Sequence, residues 1–347
     1  MRGREPGYRM RPLLRPVLVN GPFGDPGLYV DLLFERRALL FDLGDIAALA
    51  PRQVLRISDV FVTHTHVDHF IGFDRLLRLR LGRDQPVTLV GPPRFIEQLD
   101  HKLAAYTWNL VANYASDFTI HARELTDTGE LKCATFRCRH RFAREDGAAR
   151  PCPDGVLVDE AAFRVRGVLL DHQIPSIGFA LEEKTHVNVW KNRLAELGLE
   201  PGPWLRELKH AALDGATDDT VIVVRSSAGG GVGERRLRYG DLRSRVLEFV
   251  RGQKIGYVTD IANHAGNIAR IVDLVRGADF LFIEAAFLDA DAAEADRKYH
   301  LTARNAGDIA RRAAVQQVVP FHFSPRYAGR EAELRAELRA AFGATGA

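Results

Sequence analysis

The feature that most constrains the fold of this chain is a segment in which three histidines and one aspartate lie within six consecutive positions, His64 to His69. It begins at the end of the apolar run DVFVTH (59–64) and precedes an amphipathic stretch, which predicts a turn between a buried strand and a helix. Imidazole and carboxylate groups are ligands for zinc and similar cations, and a turn at a strand end can aim several short side chains at one point. The sequence therefore predicts metal ligands gathered at a strand end.

The number of ligand-type side chains in this segment bears on how many ions it serves. His64, His66, Asp68 and His69 are more than one open catalytic zinc normally takes from so short a stretch, so we expect two cations to share them. The alternatives are a solvated histidine-rich turn, or core histidines whose nitrogens bond to the backbone. The density of the motif favours metal binding over both.

Further ligands are expected at the ends of other predicted strands, at His172, Asp260 and His322. The carboxylate of Asp260 could bridge two cations, while His172 and His322 could complete one site each. Taken singly, each would more often be an ordinary buried or surface residue. The histidine-rich segment His64 to His69 is what favours metal binding by all three. His140, which lies among arginines in a strand-like stretch, is the second candidate for the place given to His172.

The rest of the chain predicts two sheets packed together with helices outside. Short apolar runs indicate strands at 38–44 and 59–64, and residues 117–181 are mostly strand-like. Helices are expected at 73–81 and 94–106, and the second half alternates strands and helices: 254–260, 266–276, 279–287, 303–314, 317–323 and a final helix. We expect a single metallo-hydrolase domain over 1–347, with residues 1–12 as a disordered extension and the start at Met1 or Met10 left open.

One segment departs from this regular pattern. Residues 182–220 contain two short helical pieces around the rigid sequence GLEPGP, a composition suited to an arm that protrudes from the domain. Its basic residues could neutralise backbone phosphates of a nucleic acid. They are Lys184, Lys191, Arg193, Arg206 and Lys209.

Composition excludes several classes of protein. The 48 basic and 45 acidic residues leave a net charge of only +3, so no global field marks a nucleic-acid binder. Three cysteines are an odd count that suits reduced thiols in the cytoplasm. The arginine-rich N-terminus is a poor secretory signal, and the absence of a long uncharged apolar run argues against a membrane span.

Several motifs together resemble the metallo-β-lactamase superfamily, and within it the ribonuclease Z family of endonucleases, which trim precursor tRNA at its 3′ side. Besides the histidine-rich segment, the likeness rests on LDHQIPSIGFALEE, LAELGLEPGPWLRELKHA, YHLTA and HFSPRY. The resemblance implies an α+β fold, a four-layer αββα sandwich of two mixed sheets with outer helices. It also implies an exosite-like role for the arm at 182–220.

The resemblance also implies a role for each site residue. His64, His66 and His172 would bind one metal, Asp68, His69 and His322 the other, and Asp260 both. Two divalent ions, zinc in the first place and manganese or iron as alternatives, would supply a metal-bound hydroxide that Asp68 orients and that attacks precursor tRNA. His300 would be the acid near the leaving oxygen, unless it is only a histidine at a helix start beside Thr302. Ser324 and Arg326 would contact phosphate.

Two departures from the family pattern keep the substrate open. The N-terminal region LVNGPFGDPGLYVDLL lacks the Arg-Asn pair of the family's Pro-Thr-x-x-Arg-Asn segment, and Thr259-Asp260-Ile261 replaces Gly-Asp-Thr. A hydrolase of the same fold acting on a small phosphodiester, sulfate ester or lactone is therefore the alternative. A non-enzymatic RNA-binding module with a vestigial site fits less well, because every expected ligand is retained. The sequence leaves open whether the protein is a monomer or a homodimer.

Overall fold

A computed structural model describes residues 14–33, 35–184, 186–226 and 233–343, so the extension expected at 1–12 lies outside the described residues. The chain divides into two compact units, one formed by 1–182 with 253–347 and the other by 183–252. Within the described ranges, no helix has the length and apolar character needed to cross a bilayer. Cys133, Cys138 and Cys152 are free thiols, and the last two are buried, as expected for small apolar residues.

The first half of the larger unit forms an eight-stranded mixed sheet whose strands lie side by side in chain order. They are β1 (Leu14–Leu18), β2 (Leu28–Leu32), β3 (Arg37–Phe41), β4 (Ile57–Phe61), β5 (Val87–Gly91), β6 (Thr119–Leu125), β7 (Glu130–Arg137) and β8 (Arg144–Pro151). Strands β3 to β6 are parallel, and the outer pairs are antiparallel. The parallel order follows from the helices between these strands: α1 (Pro51–Val54), α2 (Val67–Phe70), α3 (Phe73–Arg80) and α4 (Phe95–Ala104).

Three further strands, β9 (Val156–Asp159), β10 (Phe163–Asp171) and β11 (Pro175–Glu183), lead into the smaller unit. That unit contains two separate strand pairs, β12 with β15 and β13 with β14, together with three helices. Its elements are β12 (His186–Val189), α5 (Lys191–Glu196), α6 (Trp204–Leu213), β13 (Val221–Ser226), β14 (Gly233–Arg238), α7 (Tyr239–Val246) and β15 (Leu247–Val250). Leu194, Trp204, Leu208 and Val246 belong to a core of its own.

The chain then completes a second, six-stranded sheet in the order β18-β17-β16-β11-β10-β9. The new elements are β16 (Lys254–Val258), α8 (Ala265–Val275), β17 (Phe280–Glu284), α9 (Ala292–Arg297), α10 (Ala303–Arg312), β18 (Gln317–Phe321) and α11 (Glu331–Gly343). Strand β16 runs antiparallel to β11 and parallel to β17, which is parallel to β18. Helical connections again explain the parallel pairs.

Three apolar layers hold these elements together. One joins helices α3 and α4 to the first sheet, a second joins helices α8, α10 and α11 to the other sheet, and a third, with Phe41, Phe61, Phe179 and Tyr257, lies between the sheets. The predicted four-layer αββα sandwich of mixed sheets is confirmed. Short 3-10 helices complete the unit, and one of them, Cys138–His140, replaces the strand expected around His140.

Candidate metal centre

The predicted site residues lie just beyond the carboxyl ends of strands. His64 is three residues past β4, His172 directly follows β10, Asp260 is two residues past β16, and His322 directly follows β18. Asp260 and His322 have left-handed backbones, with φ of 51° and 56°. Non-glycine residues rarely adopt this conformation, and it is often found at functional sites.

Three groups of side chains have ligand atoms within 4.8 Å of one another. One contains four residues, His64, His66, His172 and Asp260, and another contains Asp68, His69 and His322. The structure therefore brings all seven predicted metal ligands together. The third group comprises Asp260, Glu284, His300 and His322.

The carboxylate of Asp260 lies between the two histidine sets. Its Oδ2 is 3.6 Å from Nε2 of His64 and 3.5 Å from Nε2 of His172. Its Oδ1 is 3.5 Å from Nε2 of His69 and 3.2 Å from Nδ1 of His322. One oxygen thus faces each set, which is the arrangement that a bridging ligand needs.

Several buried imidazole nitrogens in this cluster have no hydrogen-bond partner among the described residues. They are Nε2 of His64, Nε2 of His69 and Nδ1 of His322. The opposite nitrogens of the first two rings are engaged, since Nδ1 of His64 lies 3.0 Å from the Thr63 hydroxyl and Nδ1 of His69 lies 2.9 Å from Asp42. Buried polar atoms are rarely left unsatisfied, and second-sphere bonds of this kind orient metal-binding histidines. The residues therefore fit a bound divalent cation.

The electrostatics of the cluster lead to the same conclusion. Burial, followed by repulsion from neighbouring histidines, lowers the pKa of His64 to about 2, so its ring is neutral. Burial also opposes charge on His69, but Asp260 and Asp42 outweigh it and raise the pKa of His69 to about 10. The pKa of Asp260 lies well below its usual range because His322 and His69 together outweigh its burial. Buried carboxylates are stabilised by nearby positive charge, and a bound metal ion would supply that charge in place of protons.

Asp42 is a supporting residue that the sequence reasoning missed. Directly after β3 and fully buried, it accepts hydrogen bonds from the Thr63 amide (2.7 Å), the Thr63 hydroxyl (3.0 Å) and the Tyr257 hydroxyl (3.0 Å). With its bond to His69, it fixes both the turn and a ring of the histidine-rich segment. The signal was present in the sequence, where FDLG places an aspartate at the end of an apolar strand.

Glu284, the last residue of β17, was also missed. Its Oε2 is 2.8 Å from Nδ1 of His300, and its Oε1 accepts the Ile261 amide at 2.9 Å. Burial disfavours the charged His300 ring, but the Glu284 carboxylate outweighs it and raises the pKa of His300. His300 is thereby placed beside the cluster with a defined ring orientation.

A cleft of about 310 Å³ opens beside the cluster. Asp68, His300, His322 and Ser324 line it, together with Lys298, which sequence reasoning did not single out. Further lining comes from Phe23, Gly24, Asp25, Pro26, Ala286, Phe287, Phe323 and Pro325.

The remaining sequence candidates lie in different surroundings. The Arg326 guanidinium stacks over the Phe287 ring, 5.5 Å from its centroid, and lies 3.9 Å from Asp291. The roles of Ser324 and Arg326 in phosphate binding therefore stay predictions. The competing histidine, His140, is exposed and lies 2.6 Å from Glu145, and it belongs to none of the three groups.

Comparison with known proteins agrees with this geometry. The profile of the Beta-lactamase superfamily domain matches residues 203–323. Ribonuclease Z of Deinococcus radiodurans is 32% identical over 334 residues, covering 95% of both chains. The chain belongs to the ribonuclease Z family. Ribonuclease Z of Geobacillus kaustophilus is 28% identical, over 90% of this chain and 87% of its own.

Ribonuclease Z membership confirms the resemblance inferred from the motifs. The short form of human tRNase Z has the same fold, with a TM-score of 0.50 and 19% identity over 91% of this chain and 93% of its own. The chain is a metal-dependent hydrolytic endoribonuclease with a divalent-metal cluster of histidines and aspartates.

Proposed function

We propose that this ribonuclease Z family member cleaves precursor tRNA on its 3′ side, with two zinc ions in the cluster. The observation that carries the proposal is the Asp260 carboxylate, whose two oxygens face different sets of histidines at 3.2 to 3.6 Å. A carboxylate in that position serves two ions at once. Zinc suits a donor set dominated by imidazole, with manganese and iron as alternatives.

In this proposal His64, His66 and His172 would hold one ion, Asp68, His69 and His322 would hold the other, and Asp260 would serve both. Divalent ions bound there would lower the pKa of a coordinated water and draw charge from the phosphoryl oxygen under attack. Asp42 keeps His69 oriented, and the backbone carbonyl of Tyr299, 2.8 Å from Nδ1 of His172, does the same for that ring. Both imidazoles therefore present Nε2 to the cluster.

Asp68 is suited to a second task. Its side chain is 46% exposed, whereas Asp260 is 4% exposed, and it lines the cleft. Its Oδ2 lies 3.3 Å from Nε2 of His322 and 3.5 Å from Nε2 of His69, so the carboxylate is fixed on one side and open on the other. The open side can accept a hydrogen bond from the attacking water and orient it.

His300 is the proposed proton donor. Its Nδ1 is occupied by Glu284, which leaves Nε2 as the nitrogen for the substrate, and the residue lines the cleft. Glu284 raises the pKa of His300 and so shifts the ring toward the protonated form that a general acid needs. In this role His300 would protonate the departing ribose oxygen.

The unit at 183–252 is the proposed RNA-holding exosite. Lys191, Arg193, Arg206 and Lys209 are exposed on its helices α5 and α6, where they could neutralise backbone phosphates. We further propose that Ser324 and Arg326 contact the phosphate near the cleft. The free thiols fit a reducing compartment, so the proposal places the activity in the cytoplasm.

One observation favours the alternative, a small-ester hydrolase. The segment that departs from the family's Arg-Asn pattern contributes Phe23 to Pro26 to the lining of the cleft. Phe23 packs edge-on against Phe323, with ring centroids 5.4 Å apart. At this place in the cleft the segment supplies an aromatic ring and a carboxylate, Phe23 and Asp25, where the family pattern would provide a cation and an amide.

Removal of the smaller unit separates the two functions. Glu182 pairs with Lys254 in the antiparallel β11–β16 ladder, so an Asn-Gly turn in place of residues 184–252 should close a hairpin without displacing the second sheet. An excision that stopped at residue 220, the end of the arm expected from the sequence, would instead cut the unit between α6 and β13. We expect the excised protein to keep its metal content and its hydrolysis of bis-p-nitrophenyl phosphate, while precursor tRNA cleavage falls at least about tenfold from lost phosphate contacts.

The matched control keeps the unit and removes only charge, with Arg206→Gln and Lys209→Gln combined. It should weaken tRNA binding and flatten its salt dependence without changing diester hydrolysis. Unchanged tRNA cleavage after excision would contradict the exosite. An intact protein that never cuts tRNA but rapidly hydrolyses a small ester would replace the proposed function with the alternative.

A further inference from the structure

A second polar cleft, of about 330 Å³, shares no lining residue with the cleft beside the metal cluster. Its lining includes Arg37, the first residue of β3, and Ser58 and Asp59, the second and third residues of β4. The metal cluster and its support follow the other ends of these parallel strands. Arg37 and Asp42 lie at opposite ends of β3, and the strand rise separates their positions by about 16 Å. The cleft is therefore distinct from the metal centre.

The carboxylates of this cleft are already paired. Arg37 donates to Asp59 at 2.8 Å and to both oxygens of Glu160 at 2.6 and 2.7 Å. Asp159, also in the lining, lies 3.1 Å from Arg164. The acidic groups thus have guanidinium partners of their own.

Two other arginines of the lining, Arg123 and Arg150, have no such partner. Among the described residues, no carboxylate oxygen lies within 4 Å of either guanidinium. One nitrogen of each donates to the same carbonyl, Leu157 O, at 3.4 and 3.2 Å, so the two cations are neighbours. Burial, followed by the charge of Arg150, lowers the pKa of Arg123, and the nearby Asp59 and Glu160 offset only part of this shift.

We propose that this cleft is a binding site for the phosphate group of a small molecule, held between Arg123 and Arg150. Each guanidinium has five N–H donors in a planar fork, and the shared carbonyl uses one donor of each. A tetrahedral dianion between them would relieve their repulsion and accept several charge-assisted hydrogen bonds. The Thr88 hydroxyl, also in the lining, supplies a further donor.

The surroundings favour a small molecule over an RNA backbone. The other charged groups of the lining, Arg37, Asp59, Asp159 and Glu160, are engaged in ion pairs, so a second phosphate of a nucleic-acid backbone would meet no further available cation in this cleft. A single phosphate needs only the one arginine pair. The volume also matches the lower range of small-ligand pockets.

Calorimetric titration of the zinc-loaded protein with inorganic phosphate tests this site. Two binding events are expected, because the metal centre also attracts phosphate. Asp260→Ala should remove one event, and Arg123→Gln with Arg150→Gln should remove the other. Each single arginine variant should weaken the second event about ten- to a hundredfold.

Three comparisons keep the result interpretable. Arg78→Gln removes an exposed arginine of α3 outside the lining and should leave both events unchanged, while Arg123→Lys should retain part of the affinity. Zinc content and cleavage should stay at the native level in the arginine variants, which also shows that they are folded. Titration with a 12-nucleotide RNA lacking terminal phosphates should leave the arginine site open to phosphate. A single event abolished by Asp260→Ala, persistence of both events in the double arginine variant, or displacement of phosphate by that RNA would overturn the proposal.

Discussion

Carboxylates at the two ends of the parallel strands in the first sheet have different partners. At the carboxyl ends, buried carboxylates meet imidazoles, and three ring nitrogens have no hydrogen-bond partner within the described part of the chain. At the amino ends, Arg37 donates hydrogen bonds to Asp59 and Glu160 directly, so these carboxylates already have a cationic partner. Acidic residues alone therefore do not identify a cation site. A cation site is distinguished by several metal-ligand atoms that lack hydrogen-bond partners and face a common point.

The largest effect that separates the two ends should come from Asp260→Ala. Removal of the carboxylate that faces both histidine sets should lower the occupancy of both metal positions and reduce RNA cleavage by more than about 10³-fold, beyond the loss of one transition-state donor. Elemental analysis with cleavage kinetics checks this after purification without chelator and loading with zinc. Loss of one ion with full retention of the other would show that Asp260 serves a single site.

His300→Gln tests a residue beside the cluster rather than within the proposed ligand set. We expect cleavage of precursor tRNA to fall about 10²-fold or more with metal content unchanged, because the leaving ribose oxygen needs a proton. Bis-p-nitrophenyl phosphate has a leaving group that departs as a stable anion, so its hydrolysis should fall much less. Equal losses on both substrates, or loss of an ion, would make His300 a ligand and not an acid.

The matched pair Asp42→Asn and Asp59→Asn compares one buried carboxylate at each end. Asparagine tolerates the left-handed backbone of Asp42 (φ 57°), but it binds His69 less strongly, so zinc affinity should fall about 10- to 100-fold. Asp59→Asn should leave zinc affinity unchanged and lower the free energy of unfolding by about 1–3 kcal/mol through its lost bond to Arg37. Competition with a fluorescent zinc chelator and urea unfolding measure the two effects. Equal zinc affinities would contradict the contrast.

The smallest effect is a pH dependence at the amino ends. The hydrogen bond from Arg37 outweighs burial and lowers the pKa of Glu160 below 4.5, so this contribution to stability is present above about pH 4.5 and is lost as pH falls through the lowered pKa. Glu160→Gln should remove it, at under about 1 kcal/mol because Glu160 is partly exposed. The stability difference from native protein should therefore shrink below pH 4.5 in urea unfolding. A constant difference would assign the effect to packing alone.

Sequence reasoning anticipated the ligand set because its members follow recognisable patterns. His64 to His69 form a dense local motif, and His172, Asp260 and His322 each follow an apolar strand. Asp42 and Glu284 also stand at the ends of β3 and β17, but each is a single acidic residue with no neighbouring histidine. Their importance depends on contacts with His69 and His300, which come from other elements. A local pattern does not contain those contacts.

The boundaries of the smaller unit illustrate the same limit. The composition around the GLEPGP elbow indicated an excursion near 182, but the structural unit continues to Gly252, past the expected end at 220. Its closing strand β15 pairs with β12, which lies almost 60 residues earlier in the chain. Such a long-range pairing cannot be read from the short helical pieces or from local turn residues.

The pairing of β11 with β16, the strands on either side of the smaller unit, bears on the order in which the chain folds. These adjacent strands flank 69 residues, 184–252, and closing an unstructured loop of that length costs about 3–4 kcal/mol of chain entropy. The added Cβ of an alanine at Gly252 would lie 2.0 Å from the carbonyl oxygen of Glu183, so the ends of the folded unit already meet. A unit that folds early would thus act as a tether that replaces the long loop by a short one. We therefore expect β11 and β16 to pair faster when the inserted unit is folded than when it is not.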